Sequence, residues 1–521
     1  MPRRFLPPAF ALLLLGACRI GPAATPRSAP PGPNPTPVLP SAVTPVDQLD
    51  VGAAAAAADR AAIDAIVREG TERSHVADDL RHLVDVIGPR LTGSAGMRRA
   101  NEWTAGKFRA YGVDSAWLEP WKFGQAWERG PMTLTLVAPY RMQLVGYSWA
   151  WAPGTRGALA GDVVYVDSRT ADDFGRRFAG KLAGKWVMTA APAPVLNPDA
   201  APTRADSAAR DSAIRAFYST RPTEEEARFA ASLTERLAAE RVAGYVRDGA
   251  KEFALLTMSG SPARVSPYPY VVVAHESFAL FHRLLVAGER VRIEANITNT
   301  LTPDSVMVYN TIAEIRGTER PDEVVLLGAH LDSWDLAGGA TDNAAGSIAV
   351  LEAARILRAS GVKPRRTIRF ALFSGEEQGL YGSAKYAAAH AAELPNYQAV
   401  LVLDNGTGRV TGMALQGRDE LHDAWRTFFQ PLAGLGPFTV RSGNKGGTDH
   451  LSFLRYGVPG FNFDQAPRGY DHTHHSQVDS FDHTVIGDVR QAATVMAATA
   501  FQLANLPALL PRDASAPSAT R

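Results

Sequence analysis

The sequence predicts an α/β protein: a mixed, mostly parallel sheet flanked by helices and interrupted by a β-rich insert. Three observations carry that reading. After residue 305, short apolar runs alternate with helical stretches, the texture of a parallel sheet covered on its faces. From about Pro131 to Thr300 the apolar runs are short and β-rich, as in Met132–Ala138, Asp162–Val166 and Tyr268–Val273. Before that, Ala53–Arg109 is helical in pattern, broken at Gly88-Pro89-Arg90-Leu91-Thr92-Gly93-Ser94.

The first eighteen residues stand outside any fold. Arg3 and Arg4 precede an apolar run, Phe10–Ala17, that is too short to span a bilayer. Leu15-Gly16-Ala17-Cys18 resembles the bacterial lipobox, whose cysteine is acylated and becomes the mature N-terminus. The expectation is an exported protein, periplasmic or attached to the outer membrane by a lipid on Cys18, otherwise secreted. Gly21–Val46 holds nine prolines and few large apolar residues, the composition of an extended tether.

Within the β-rich region, Ala200–Asp248 is rich in Ala, Arg, Glu and Asp, with charges of alternating sign. That pattern predicts water-facing helices rather than a binding surface. Further on, Val324-Val325-Leu326-Leu327 reads as a strand buried on both faces. Ala349, Ala353, Ile356 and Leu357 then follow at helical spacing, with Glu352, Arg355 and Arg358 off that stripe, and Gly361 ends the helix. Thr367–Phe373 and Ala399–Leu403 are two more buried-type strands, and Pro507–Arg521 reads as a loose tail.

Composition narrows the function. With 46% hydrophobic and 21% charged residues, the 521-residue chain is globular and long enough for two to four domains. The balance of 54 Lys+Arg against 53 Asp+Glu argues against a charge-driven claim on nucleic acid. A single cysteine excludes both a disulfide framework and a Cys-rich zinc module.

The chemistry-bearing residues lie at strand ends. One strand leads into His330-Leu331-Asp332, a second into Ser374-Gly375-Glu376-Glu377, and a third ends at Asp404. Open α/β sheets bind ligands at the carboxyl ends of their strands, so these groups should share one crevice. Asp342 sits in a glycine-rich loop, Gly338–Asn343, and four of the twelve histidines fall between His472 and His483. Imidazole and carboxylate together suit zinc or a similar divalent ion. Two histidines and three carboxylates, with one glutamate to spare, suit two ions sharing a bridging carboxylate. In the Glu-Glu pair, one carboxylate can bind metal while the other acts as base. Asp332 could accept the other ring N–H of His330, and Asp479 that of His475.

Four blocks resemble the M28 family of dinuclear zinc exopeptidases, in family order. They are Gly328–Ser333, Gly339–Gly346, Phe373–Ser383 and His475–Ser480. Ile87–Ser94 and the β-rich insert look most like the carboxypeptidase Q (plasma glutamate carboxypeptidase) branch, in which a protease-associated (PA) domain interrupts the catalytic domain. Gly180–Met188 resembles the beginning of a PA-domain strand. The resemblance implies the phosphorylase/hydrolase-like zinc exopeptidase fold and two Zn2+ per chain, other divalent metals being compatible with the same donors. It implies that Asp342 bridges the metals, that His330 and Asp404 complete one site and Glu377 and His475 the other, and that Glu376 is the general base. Several family members carry Tyr before the last ligand histidine; here that residue is His474, which is expected to stabilise the oxyanion, with Tyr470 as the second candidate. Gly446-Gly447-Thr448-Asp449-His450 resembles a substrate-side loop, which would make Asp449 and His450 substrate-binding along with Tyr470.

The resulting division is a lipoprotein-type signal peptide (1–18), a Pro-rich linker (19–49), a first catalytic segment (50–130), a PA-like insert (131–300), a second catalytic segment carrying the metal site (301–506) and a tail (507–521). The expected activity is hydrolysis of dipeptides or short peptides from an amino or a carboxy end. The oligomeric state stays open, a homodimer included. An M20-like amidohydrolase or deacylase also uses His-x-Asp and Glu-Glu, but there the inserted domain follows the Glu-Glu block. A glutaminyl cyclase-like transferase would not keep the full two-metal set. A non-catalytic binding protein of the transferrin receptor kind would have lost ligand types that are present here. Gly-x-Ser-x-Gly and His-Glu-x-x-His are absent from the sequence, which disfavours a serine hydrolase and that class of metalloprotease.

Overall fold

Two eight-stranded sheets organise the chain. The computed structural model describes residues 60–193 and 222–512. The signal peptide with Cys18, the Pro-rich linker, the segment 194–221 and the end of the tail from 513 lie outside the described residues.

The main sheet contains, in chain order, β1 (Ser115–Glu128), β2 (Thr300–Ile315), β3 (Arg320–His330), β4 (Arg366–Phe373), β5 (Tyr397–Val402), β6 (Val410–Ala414), β7 (Thr439–Arg441) and β8 (Gly460–Gln465). Across the sheet the order is β1-β2-β4-β3-β5-β8-β6-β7. Strands β4, β3, β5 and β8 pair in parallel, and β2 and β6 flank them antiparallel. The parallel centre is buried on both faces: all of β5 and Val324–His330 of β3 are inaccessible or nearly so. This is why those strands read as continuous apolar runs.

Among the helices beside this sheet, α1 (Arg60–Glu72) packs on other helices, whereas α2 (Ala95–Ala110), α3 (Ala345–Ala359) and α4 (Ile486–Asn505) contact its strands directly. α4 packs against both α3 and α1, so α3 is enclosed. Glu352 and Arg355, expected on a solvent-facing side, are 1% and 6% exposed. Arg355 bonds both Glu352 oxygens at 2.8 and 2.9 Å and reaches Glu69 of α1 at 2.6 Å. The helical period placed these charges off the apolar stripe correctly, but a second layer of helix covers them.

The second sheet is built entirely between Met132 and Ile297. Its order is Met142–Gln143, Met132–Ala138, Arg292–Ile297, Leu159–Tyr165, Trp186–Met188, Gly244–Asp248, Tyr270–Val273 and Gly146–Ser148. It encloses its own core around Trp186, Val271, Phe281 and Ile293. The charged stretch expected as helices contains one described helix, Glu224–Ala239, which buries only Phe229 and Leu237. It then turns into the strand Gly244–Asp248, so the charged composition continues past the helix into the sheet.

The expected tail begins later than Pro507. Leu510 is buried, its N–H donates to Gln398 at 2.8 Å, and Arg512 donates to the Pro395 carbonyl at 2.7 Å. Residues 507–512 therefore pack against the end of β5. Among the described residues, no helix is long and apolar enough to cross a membrane.

Replacing Arg355 with Met should destabilise the protein by about 3 kcal/mol, because it strands the Glu352 carboxylate in the interior while Arg73 still pairs with Glu69. Denaturant unfolding measures this, and a loss below about 1 kcal/mol would show that the network is not a buried one.

Candidate metal centre

Three loops converge at the carboxyl edge of the main sheet. His330 is the last residue of β3, Glu376 and Glu377 follow β4, and Asp404 follows β5. The turn after β4 needs Gly375: its φ is +77°, and a Cβ there would lie 2.9 Å from the Trp121 ring. The loop bearing Asp342 starts at Gly339, φ +58°, where a Cβ would meet the Ser333 side chain at 2.3 Å.

Asp342 divides its two oxygens between two groups of donors. Oδ1 lies 3.3 Å from His330 Nε2, which is itself 3.2 Å from Asp404 Oδ1. Oδ2 lies 3.5 Å from His475 Nε2, which is 2.9 Å from Glu377 Oε2. His474 Nε2 stands 3.8 Å from the same Oδ2, and its ring stacks on that of His475 with centroids 3.8 Å apart. Two triads have ligand atoms within 4.8 Å of one another, His330–Asp342–Asp404 and Asp342–His474–His475. The expected five ligand residues are therefore together, with His474 as close company for His475.

The chemistry of this donor set fits divalent cations. Asp342 Oδ2 and Glu377 Oε1 are buried and have no hydrogen-bond partner. Burial, reinforced by the charges of Asp404, Asp449 and Glu377, pushes Glu376 well above the usual carboxylate range against the pull of His330. Burial and the neighbouring Asp342 do the same to Glu377. Burial opposes a charged His330, but Asp404 and Glu376 outweigh it and hold that imidazole well above its ordinary value. Positive charge at the centre would relieve this crowding.

Two supporting carboxylates act differently from expectation. His330 Nδ1 meets the main-chain oxygen of Asp332 at 3.0 Å, while the Asp332 carboxylate is 3.7 Å away. That carboxylate instead accepts the Thr92 hydroxyl at 2.9 Å and the N–H groups of Glu376 and Glu377 at 3.3 and 3.4 Å. Asp479 likewise accepts the N–H groups of Thr341 and Asp342, at 2.6 and 3.1 Å, and so holds the Asp342 loop rather than the His475 ring. Proximity in sequence identified both as neighbours, but irregular loops do not fix where a side chain points.

The remaining candidates separate. Burial pushes the Tyr470 phenol up, helped by Asp342, Asp404 and Glu377, and its ring centroid is 5.1 Å from that of His474. Burial lowers His474 to about 4 and keeps it neutral. Asp449 is fully buried with both oxygens unpartnered, raised to about 7 chiefly by burial, and its charge acts on Glu376. His450 does not join the centre: its Nε2 meets the Lys445 carbonyl at 2.9 Å and also Gln416, contacts that brace the 445–450 loop.

Arg90 and Thr92 carry a role the sequence reading missed. Arg90 is wholly buried and donates to the carbonyls of Gly88, Leu331, Gly338 and Gly339. Thr92 donates to Asp332 and accepts the Gly375 N–H at 2.9 Å. One short segment thus ties the loops after β3 and β4 together. The break in the helical pattern at Gly88–Ser94 and the family resemblance of Ile87–Ser94 marked the segment, but neither showed what Arg90 and Thr92 bind.

Residues 310–500 match the model of Peptidase family M28. Carboxypeptidase Q from Bos taurus is 29% identical over 447 residues, covering 85% of this chain and 88% of that protein. A peptidase M28 precursor from Shewanella amazonensis SB2B has a similar structure, with 26% identity, a TM-score of 0.69 and coverage of 87% of this chain and 98% of that one. Residues 310–500 form a peptidase family M28 domain. A zinc aminopeptidase from Bacillus subtilis shares the fold at 19% identity and a TM-score of 0.57, covering 82% of this chain and 93% of that one. That domain and these relatives make the α/β chain a metallo-exopeptidase, and they argue against the M20-like and serine-hydrolase alternatives.

Thr92→Val should lower stability by about 1–3 kcal/mol by leaving the Asp332 carboxylate and the Gly375 N–H without a buried partner, whereas Thr92→Ser should not. Thermal unfolding of the two variants separates them. Zinc added near pH 7 to metal-stripped M28 peptidase should release about one or more protons per chain, since the raised Glu376, Glu377 and His330 must give up protons to a cation. Affinity should accordingly rise with pH. Calorimetry in buffers of different ionisation enthalpy reads the proton count, and no release would contradict the assignment.

Proposed function

We propose that this M28 peptidase hydrolyses the peptide bonds of dipeptides or short peptides from a free end, with two divalent cations, zinc by preference, held around Asp342. The observation that carries the reading is the division of Asp342, with Oδ1 toward His330 and Asp404 and Oδ2 toward Glu377 and His475. His330, Asp404 and Asp342 would hold one cation, and Asp342, Glu377 and His475 the other. When bound, the cations supply Lewis acidity that polarises a peptide carbonyl and makes water a competent nucleophile near neutral pH. Glu376 is the general base. Its carboxylate takes the proton of the attacking water and returns it to the amide nitrogen as the C–N bond breaks, a contribution of about 10²–10⁴-fold.

His474, neutral at working pH, still has one ring N–H to offer a developing oxyanion. Tyr470, packed against it, is the second candidate for that hydrogen bond. Asp449, whose charge acts on Glu376, is read here as an electrostatic neighbour of the base. The β-rich insert is read as a PA-like domain that narrows access to the crevice, which favours short substrates. Export, and a lipid tether on Cys18, rest on the sequence of residues 1–18 alone; mass analysis of the mature N-terminus tests them.

Metal analysis should find close to two divalent ions per chain, and a chelator should abolish turnover. Glu376→Gln should keep both ions and lose about 10²–10⁴-fold in kcat. Glu377→Ala should lose metal as well as turnover. Full turnover in Glu376→Gln would remove Glu376 as the base. An unchanged kcat in His474→Ala would move the oxyanion role to Tyr470. Unblocked dipeptides, N-blocked peptides and C-blocked peptides, tested side by side, identify which free end is required.

A further inference from the structure

Both peptide groups that flank His475 are gripped by the inserted sheet. Lys251 Nζ donates to the His474 carbonyl at 2.6 Å, and the Met258 N–H donates to the His475 carbonyl at 2.9 Å. Two further bonds fix the next residue but one: Leu256 N–H to Gln477 Oε1 and Gln477 Nε2 to the Ala254 carbonyl, each at 2.9 Å. All four contacts come from one segment of the insert, 250–258, and all fall on residues 474–477.

These contacts matter because of the conformation of His475. Its φ is +57°, the left-handed region that a non-glycine residue adopts only when its surroundings require it. Rotation about N–Cα turns the 474–475 peptide plane, and rotation about Cα–C turns the 475–476 plane. The carbonyls of those two planes are the acceptors for Lys251 and Met258. The Ser476 N–H adds a bond within its own turn, to the Thr473 carbonyl at 2.9 Å.

The segment is itself firmly held by the insert. Gly249 N–H donates to Val273 at 2.8 Å, and Ala250 N–H donates to Asp248, which also contacts His275 at 3.0 Å. Ala254 N–H reaches Glu276 at 3.2 Å. Leu256 and Met258 are completely buried, Leu256 against Val272 and Ala274 of the insert, and Met258 between Trp151 of the insert and Trp127 and Trp334 of the catalytic segments. The segment therefore transmits the position of the insert to the backbone of His475.

We propose that Lys251 and Gln477 are positioning residues for the metal centre, through which the inserted sheet sets the backbone of His475. The insert then forms part of the centre as well as covering it. This rests on the reading that His475 holds a cation, and the test separates the two. Metal affinity is measured by competition with a chromophoric chelator on the full chain, for Lys251→Met, Gln477→Leu and His475→Ala, with Lys251→Arg as the donor-retaining control. The melting temperature of each variant is followed in parallel.

The expected result is about 10–100-fold weaker binding of one of the two ions in Lys251→Met and in Gln477→Leu, with the other ion unaffected and the melting temperature little changed. His475→Ala should weaken the same ion further, and Lys251→Arg should stay near the parent. If His475→Ala weakens one ion while Lys251→Met and Gln477→Leu both bind like the parent, the positioning proposal is wrong and the ligand reading stands. If His475→Ala binds both ions like the parent, the ligand reading fails and the proposal falls with it.

Discussion

The shared carboxylate of Asp342 is the constraint on which the rest of this fold depends. One side chain must present Oδ1 to His330 and Oδ2 to His475, residues that come from opposite ends of the catalytic sequence. A loop free to shift by an ångström would serve one side at the expense of the other. The chain prevents this by clamping the loop twice. Asp479 takes the N–H groups of Thr341 and Asp342, and Arg90 takes the carbonyls of Gly338 and Gly339. The clamps come from a segment before the insert and from one near the C-terminus, so the centre forms only when distant parts of the chain have docked.

The same crowding sets an electrostatic problem. Asp332, Asp342, Glu376, Glu377, Asp404, Asp449 and Asp479 are gathered where water is scarce, and unpaired buried charge is expensive. Arg90 lies among them, but its donors go to main-chain carbonyls, so it orders the loops without pairing with any carboxylate. Burial lowers even that guanidinium, to about 10. Protons on the raised carboxylates offset part of this charge, and cations held as proposed would take their place and couple metal uptake to order in the loops.

Much of the convergence was legible in the sequence because His330, Glu376, Glu377 and Asp404 sit at or just after the ends of strands that read as buried, whereas Asp342 and His475 entered through the family resemblance. The run Val324–Leu327 leads to His330, Thr367–Phe373 to Glu376 and Glu377, and Ala399–Leu403 to Asp404. The supporting layer was not legible, and for a physical reason. Asp332 and Asp479 sit two and four residues from the histidines they were expected to orient, yet each turns to backbone N–H groups in another loop. Thr92 finds its partner 240 residues away, where no periodicity can register it. Glu352 and Arg355 were read against a single apolar stripe, which cannot reveal that α4 and α1 close over the other side of α3. Pro507–Arg512 has the composition of a tail but pairs with the end of β5.

The insert meets the body at several places, among them the Trp151–Met258–Trp334 cluster and the Ser261–Tyr381 hydroxyl contact, and two of them bear on the metal-centre loops. Chain enters and leaves through β1 and β2, an antiparallel ribbon paired from Ser115 opposite Glu314 out to Glu128 opposite Thr300. The root of that ribbon lies in the main sheet beside β4, the strand that leads into Glu376 and Glu377. The second attachment is the 250–258 segment on residues 474–477. A body held only by the ribbon could swing about it and open the crevice. Held also at the histidine loop, it would pull on the carbonyls of His474 and His475 as it swung. The insert and the segment bearing His475 are thus joined in one mechanical loop, closed through the sheet on one side and through hydrogen bonds on the other.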